Sequence, residues 1–99
     1  DQEYFKQLVR GILNHTAELD RVLEKCLDRD LASVDPIERT VLRIGAYELQ
    51  FRPEIPVRVV LNEAIELARV FGAEEGYRFV NGVLDRCQEL CRGSELPVA

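Results

Sequence analysis

The recurrence of apolar residues at helical spacing is the feature that most constrains this chain. Five segments carry apolar side chains three or four positions apart, which places them along one stripe of an α-helix. Alternation with a period of two, typical of a strand, never persists. The pattern predicts an all-α protein, a compact bundle of about five helices. The first stripe consists of Phe5, Leu8, Val9, Ile12 and Leu13.

Capping and breaking residues predict where these helices begin and end. Asp35 as N-cap, Pro36 in the first helical position and Glu38 in the third predict a helix from Pro36 to about Phe51. Prolines at 53 and 56 must end it. The other predicted helices cover residues 3–13, a segment from Leu19 to Leu27, a segment from Pro56 to Gly72, and one from Glu74 and Glu75 to Gly93.

Two glycines fall in the middle of predicted helices. Gly45 and Gly82 each cost about 1 kcal/mol of helix stability relative to alanine. We expect that they let two helix backbones approach closely. Residues 1–93 are predicted to form one helical domain, and residues 94–99 a flexible tail.

Composition restricts the function classes. The chain has 99 residues, enough for one domain, with 13 basic against 18 acidic residues and a net charge of −5. This charge counts against a stand-alone nucleic-acid binder, which usually carries a basic excess. The chain has three cysteines, an odd and small number that argues against a disulfide scaffold. This favours a reduced cytoplasmic compartment. Apolar stretches are too short to span a membrane, so no membrane association is expected.

The sequence lacks the groups that an enzyme or a metal site needs. The only histidine, His15, falls in a predicted turn and is expected to be exposed to solvent. Cys87 and Cys91 stand four residues apart on one helix, but two ligands do not close a zinc site, so we expect buried apolar thiols. The residues therefore predict a protein that is not an enzyme and has no cofactor and no metal.

One short cluster indicates nucleic-acid contact. Tyr77, Arg78 and Phe79 combine a cation with two aromatic rings near a helix start, so that bases stack while phosphate is neutralised. Phe79 fits the helical core equally well. From the residues alone, the prediction ends at a small helical interaction domain.

Three motifs extend this prediction. They are IPVRVVLNEAIELAR at residues 55–69 followed by Phe71 and Gly72, FVNGVLD at 79–85, and DPIER, LRI and YEL within 35–49. Together they resemble the signatures of the NusB family of transcription antitermination proteins. The resemblance runs from about Tyr4 to Cys87.

The resemblance implies a function and a set of site residues. Members of the family pair with the ribosomal protein NusE, and the heterodimer binds boxA RNA and keeps RNA polymerase elongating through ribosomal RNA operons, without catalysis. On this chain the resemblance implies RNA contact at Glu75, Arg78 and Phe79, with Arg43 as a phosphate contact, and places Glu38 on the surface that faces NusE and RNA.

One part of the family pattern has no counterpart in these residues. The family begins with an Arg-rich segment and a first pair of helices, so we expect that the chain is N-terminally truncated. The apolar surface exposed by that truncation is expected to favour a homodimer or a domain swap. We also expect weakened boxA affinity, with NusE binding better retained.

Two alternative functions remain open at this point. NusB-like domains also occur as RNA-binding appendages of rRNA cytosine methyltransferases. A second alternative is a helical module that binds only protein, either NusE or a copy of itself.

Overall fold

The computed structural model of the chain describes residues 1–71 and 76–93. Within these ranges there is no strand, which agrees with the predicted all-α class. None of the helices described is long and apolar enough to cross a lipid bilayer. The helices are α1 (Gln2–Asn14), α2 (Thr16–Cys26), α3 (Pro36–Phe51), α4 (Val57–Val70) and α5 (Gly76–Arg92), with a short 3₁₀ turn at Leu31–Ser33.

The predicted boundaries of α3 are confirmed. The Asp35 carboxylate accepts hydrogen bonds from the backbone N–H groups of Ile37 and Glu38, at 3.0 and 3.2 Å. Pro56 is the N-cap of α4, so that helix begins one residue later than predicted. Three predicted boundary residues, Gly72, Glu74 and Glu75, lie outside the described residues, as does the predicted tail at 94–99.

The core lies between α3, α4 and α5, each of which packs against the other two. Helix α2 covers α3 and α5, whereas α1 packs mainly on α3. Large side chains that are fully buried come from α2 to α5, which makes these four helices one continuous core. They are Leu19, Leu23, Leu42, Leu49, Val57, Val60, Val80, Val83 and Leu84.

Only half of the apolar stripe of α1 enters this core. Leu8 is buried and Ile12 half-buried, but Phe5 and Leu13 are 64% and 72% exposed, and Val9 is exposed as well. Residues four apart advance about 40° around a helix, so the series Phe5, Val9, Leu13 turns away from α3. The apolar stripe of α1 is thus wider than the arc that contacts α3.

The two mid-helix glycines have different surroundings. A Cβ at Gly45 would lie 2.6 Å from Leu84 Cδ1, so a buried side chain of α5 fills the space rather than a second backbone. At Gly82 the nearest atom to such a Cβ is Arg86 Nη1, 3.8 Å away in the same helix. The prediction of close packing is therefore wrong for Gly82. The tightest approach occurs at Gly11, where the ring of Tyr47 occupies the place of a Cβ.

Arginines of α5 cap two other helices. Arg92 donates to the carbonyl oxygens of Leu49 and Glu48, at 2.9 and 2.8 Å, near the end of α3. It also donates to those of Arg52, at 2.8 Å, and Ile55. Likewise, Arg86 Nε donates to the carbonyl of Cys26, the last residue of α2, at 2.8 Å. The carbonyls of Glu48 and Arg52 also accept from the backbone N–H groups of Arg52 and Ile55, so Arg92 adds a second donor there. Helix α5 thus supplies side-chain donors at the ends of α2 and α3.

His15, Cys87 and Cys91 pack against other side chains of the bundle. His15 lies between α1 and α2 as predicted, but its ring stacks on Phe51 with a centroid distance of 4.2 Å and is only partly exposed. The expectation of a solvent-exposed histidine is therefore corrected. Cys87 is fully buried, and desolvation raises the pKa of its thiol. Cys91 is half-buried, and its thiol lies 3.9 Å from Gln50 Oε1.

Candidate nucleic-acid interface

Five side chains on and around the N-terminal part of α5 form two groups, Arg29 with Phe79, and Arg69 and Arg78 with Tyr77. We call them the arginine–aromatic cluster: Arg29, Arg69, Tyr77, Arg78 and Phe79. The first turns of α5 carry the last three of them, and the other two arginines come from elsewhere in the chain. Arg29 follows α2 and Arg69 lies in the last turn of α4.

Arg29 lies over the ring of Phe79. Its Cζ atom is 4.7 Å from the ring centroid, a cation–π distance. Asp28 holds the same guanidinium, since Arg29 Nε donates to Asp28 Oδ1 at 3.0 Å. Phe79 is half-buried and packs against the core, whereas Arg29 and Asp28 are exposed. The ring therefore presents a guanidinium to solvent, not a bare aromatic face.

Tyr77 lies between two further guanidinium groups. Arg69 Cζ is 4.4 Å from its ring centroid, and Arg78 Cζ is 5.7 Å away. Arg78 Nε also donates a hydrogen bond to Tyr77 Oη at 3.2 Å. This bond, followed by the contribution of Arg69, lowers the pKa of Tyr77 below its ordinary value. The arrangement combines a ring with two cations at the protein surface.

Among the described residues, the three arginines of the cluster have two acidic partners in ion pairs. These partners are Asp28, at 3.0 Å from Arg29, and Glu66, at 4.0 Å from Arg69. Both acidic side chains are exposed, so solvent screens these pairs. Within the described residues, a chain with a net charge of −5 thus places three arginines beside two aromatic rings.

Two of the predicted RNA-contacting residues belong to the arginine–aromatic cluster, and a third lies elsewhere. Arg78 and Phe79 both belong to the cluster. Glu75 lies outside the described residues, directly before Gly76 in the chain. Arg43, on α3, instead makes a bidentate ion pair with Asp20, on α2. Its Nε donates to Asp20 Oδ1 and its Nη2 to Asp20 Oδ2, both at 2.9 Å. As a phosphate contact, Arg43 would share its guanidinium with that carboxylate.

Sequence reasoning missed Arg29 and Arg69. They lie 50 and 8 residues before Phe79 and Tyr77, on other elements, and no periodicity links them to α5. The local signal at Tyr77, Arg78 and Phe79 was visible because those residues are consecutive. The two additional arginines are recognisable only when the bundle brings the ends of α2, α4 and α5 together.

Glu38 lies in the first turn of α3, next to an apolar groove. Glu38 itself is half-buried, and the groove of about 380 Å³ begins at its neighbours Pro36 and Ile37. The groove lies between the start of α3 and the end of α4, and exposed Ile37 and Phe71 contribute to its walls. The remaining lining residues are Thr40, Val41, Ile44 and Leu67.

Comparison with known proteins places the chain in a family. The model of the NusB family matches residues 1–89, which is most of the chain. The chain belongs to the NusB family. Similar NusB proteins include the transcription antitermination protein NusB of Methylococcus capsulatus, which is 56% identical over 93 residues, covering 94% of this chain and 47% of that protein.

Other NusB proteins show the same relation. The transcription antitermination protein NusB of Nitrosococcus oceani is 56% identical over 95 residues, covering 96% of this chain and 64% of that protein. The solved structure of T. maritima NusB is similar with a TM-score of 0.83 and 36% identity, over 88% of this chain and 62% of that chain. The chain thus spans about half to two thirds of the length of these NusB relatives. The proteins of M. capsulatus and N. oceani are named for antitermination and not for a catalysed reaction.

Proposed function

We propose that this chain acts in transcription antitermination as a non-catalytic binding module, pairing with NusE and contacting boxA RNA. The arginine–aromatic cluster carries the proposal, because three arginines lie against two aromatic rings of α5 in a member of the NusB family. In this proposal the pair reaches the RNA polymerase elongation complex only indirectly, through the RNA and NusE. We place this activity in the cytoplasm, where bacterial transcription occurs.

The cluster supports RNA contact by two physical effects. Bases stack on aromatic rings and guanidinium planes, which contributes about 1–3 kcal/mol per base. Guanidinium groups such as that of Arg78 also neutralise phosphates and release counterions. The net charge of −5 opposes the approach of RNA to the rest of the surface. We therefore expect weak RNA binding by the chain alone and tighter binding by the pair with NusE.

The surface beside Glu38 supports a protein partner. Exposed Ile37 and Phe71 at the groove offer apolar area that becomes buried on association. Leu67 links this groove to a shallow surface formed with the carboxylates Glu63 and Glu66 of α4. An apolar groove bordered by acidic residues fits a partner with a basic surface, as expected of a ribosomal protein that contacts RNA.

A titration of RNA tests the proposed function. A labelled single-stranded RNA carrying boxA is titrated with the chain, with and without NusE, at low and high salt. We expect binding that depends on NusE and weakens steeply with salt. Failure of NusE to bind the chain, or to change its RNA affinity, contradicts the proposal. NusE binding without any RNA binding by the pair favours the module that binds only protein.

Two matched variants locate the RNA contact. Arg78→Ala removes a cation of the cluster, and we expect the pair to lose about tenfold in boxA affinity. Arg58→Ala is the control, because Arg58 is exposed on α4 and belongs to none of the contacts of the cluster. Equal affinities of these two variants contradict RNA contact at Arg78.

Variants of the groove test the partner surface separately. Ile37→Asp places a charge at the exposed edge of the groove, and Glu38→Lys reverses the charge beside it. We expect both to weaken NusE binding, whereas Leu90→Asp on the exposed face of α5 leaves it unchanged. Isothermal titration with NusE in the absence of RNA measures this directly. Wild-type affinity in Ile37→Asp and Glu38→Lys contradicts the assignment.

A further inference from the structure

We infer that Arg29 is the residue that contacts RNA at this position, and that Phe79 acts through it as the platform that orients the guanidinium. This inference rests on the proposed RNA-binding function. It changes the role of Phe79 from a ring that stacks on a base to a positioning residue, and it assigns the contact to a residue from the segment between α2 and α3.

First, the packing of Phe79 indicates that Arg29, and not the ring, is available to RNA. The ring is half-buried against the core, and Arg29 lies over one of its faces, with Cζ 4.7 Å from the centroid. A base that stacked on this face would have to displace the guanidinium. A base that stacked on the outer face of Arg29 would extend the existing stack instead, since a guanidinium plane accepts a base as an aromatic ring does.

The hydrogen bonds of Arg29 carry the second step. Its Nε donates to Asp28 Oδ1, and its side chain is 53% exposed. No hydrogen bond to another described residue uses the two terminal amino groups of this guanidinium. These groups form the fork that matches a phosphate or a base edge. Phe79 below and Asp28 at the side hold the fork in place before RNA arrives.

The position of Arg29 carries the third step. Arg29 reaches α5 from the segment after α2, whereas Tyr77 and Arg78 lie on α5 itself. The arginines therefore lie on two elements of the bundle, Arg29 against Phe79 and Arg78 against Tyr77, which faces a different side of α5. A single strand of RNA that crosses the protein surface over several nucleotides uses contacts from more than one element.

A double-mutant cycle tests the inference. Affinities for a fluorescein-labelled boxA RNA of about 12 nucleotides are measured by anisotropy at saturating NusE for wild type, R29A, F79L and the double variant R29A/F79L. We expect each single variant to lose about tenfold. The double variant is expected to bind no more weakly than either single variant, because R29A and F79L remove the same contact with RNA. Losses that multiply in the double variant overturn the inference, as they mean that both side chains contact RNA separately.

The dependence on salt distinguishes contact from a structural role. R29A is expected to reduce the slope of log affinity against log salt by about 0.7, the effect of one phosphate contact on a single strand. R29K keeps the charge and the slope but loses the planar stack, so its affinity falls at every salt concentration. Arg21→Ala, an exposed arginine of α2, is the control that leaves both quantities unchanged. Wild-type affinity and slope in R29A overturn the inference.

The outcomes separate this inference from the proposed function. A wild-type pair that does not bind boxA overturns both. A wild-type pair that binds while R29A binds equally well overturns the inference alone. Thermal unfolding of each variant is followed by circular dichroism, and should F79L fail to fold, R29A and R29K still decide because Arg29 is exposed.

Discussion

At the scale of single residues, the surroundings of each arginine decide its role. Arg43 is held by a carboxylate of α2, Arg92 by backbone carbonyls near the end of α3, and Arg29 by an aromatic ring. All three carry the same charge in the sequence. Their accessibility to a phosphate differs, because Arg29 is paired through Nε with Asp28 while its two terminal amino groups make no hydrogen bond to another described residue.

The two mid-helix glycines give a matched prediction. Gly45→Ala forces a Cβ against buried Leu84, so we expect a loss of about 1–3 kcal/mol in the free energy of unfolding. Gly82→Ala meets no such atom and gains helix propensity, so we expect a stabilisation of about 0.5–1 kcal/mol. Urea unfolding monitored by circular dichroism measures both. Destabilisation by Gly82→Ala contradicts the open surroundings assigned to that position.

Buried Glu48 predicts a pH dependence of stability. Its side chain is 4% exposed, and desolvation raises the pKa of its carboxyl, although a hydrogen bond from Tyr4 Oη at 2.5 Å opposes the shift. Glu63 raises the pKa further, whereas Arg52 and Arg92 lower it. The folded state therefore holds this proton more tightly than the unfolded state, and its contribution to stability falls as pH rises above the ordinary value of about 4.5.

A glutamine variant isolates this contribution. We expect the stability of wild type relative to Glu48→Gln to decrease as pH rises from 4.5 through the raised pKa, because the amide does not ionise. Unfolding in urea across this pH range measures the difference. The control is Glu89→Gln, which changes an exposed carboxylate of α5. A difference between wild type and Glu48→Gln that rises with pH contradicts the assigned direction.

At the scale of elements, the two ends of α3 are stabilised by different means. Asp35, adjacent in sequence, caps the N-terminus, and its hydrogen bonds are those the sequence predicts. Arg92, 41 residues after Phe51, contacts the carbonyls near the C-terminus. No basic residue lies in the last turn of α3 itself. The stability of α3 thus depends on the docking of α5.

Removal of Arg92 is expected to destabilise the whole bundle. Arg92→Ala removes the charged donor shared by several carbonyl groups near the end of α3, of which those of Glu48 and Arg52 keep a backbone donor. We expect a loss of about 2–4 kcal/mol in the free energy of unfolding. Arg92→Lys keeps the charge but not the fork, and should recover less than half of the loss. Chemical denaturation compares both with the surface control Arg58→Ala. Surface substitutions usually change stability by no more than about 0.5 kcal/mol. A loss in Arg92→Ala that lies within this range of the loss in Arg58→Ala rules out the capping role.

At the scale of the whole molecule, α1 leaves an apolar surface uncovered. Phe5, Val9 and Leu13 form an exposed stripe along it, with Lys6 and Arg10 at the same shallow groove. The net charge of −5 keeps copies of the chain apart, whereas the stripe favours their association. The balance between the two depends on salt, which screens the repulsion and not the apolar contact.

We predict self-association through this stripe. Sedimentation velocity is expected to detect a dimer fraction that grows with salt and protein concentration. The double variant Phe5→Gln/Leu13→Gln should remain monomeric, because it removes the two most exposed apolar side chains of α1. Val70→Gln, which changes an equally exposed apolar residue of α4, is the control. A dimer that persists in the α1 variant and disappears in the control places the interface elsewhere.

Local chemistry explains how much of the fold was predictable. The start of α3 depends on Asp35 and Pro36 and its end on the nearby prolines 53 and 56, so the sequence predicts both boundaries correctly. The exposure of Phe5 and Leu13 depends on which arc of α1 meets α3, and periodicity does not contain that information. The candidate interface divides in the same way, because Tyr77, Arg78 and Phe79 are consecutive whereas Arg29 and Arg69 are not.

The sequence by itself determined the helical class, the number of helices and the capped start of α3, because these follow from spacing and from contacts between near neighbours. The family signatures are likewise a property of consecutive residues. Only the tertiary structure decided that Arg92 caps α3, that Arg43 is paired with Asp20, and that Arg29 lies over Phe79. Each of these contacts joins residues more than 20 positions apart, and only the packing of the helices fixes which side chains meet.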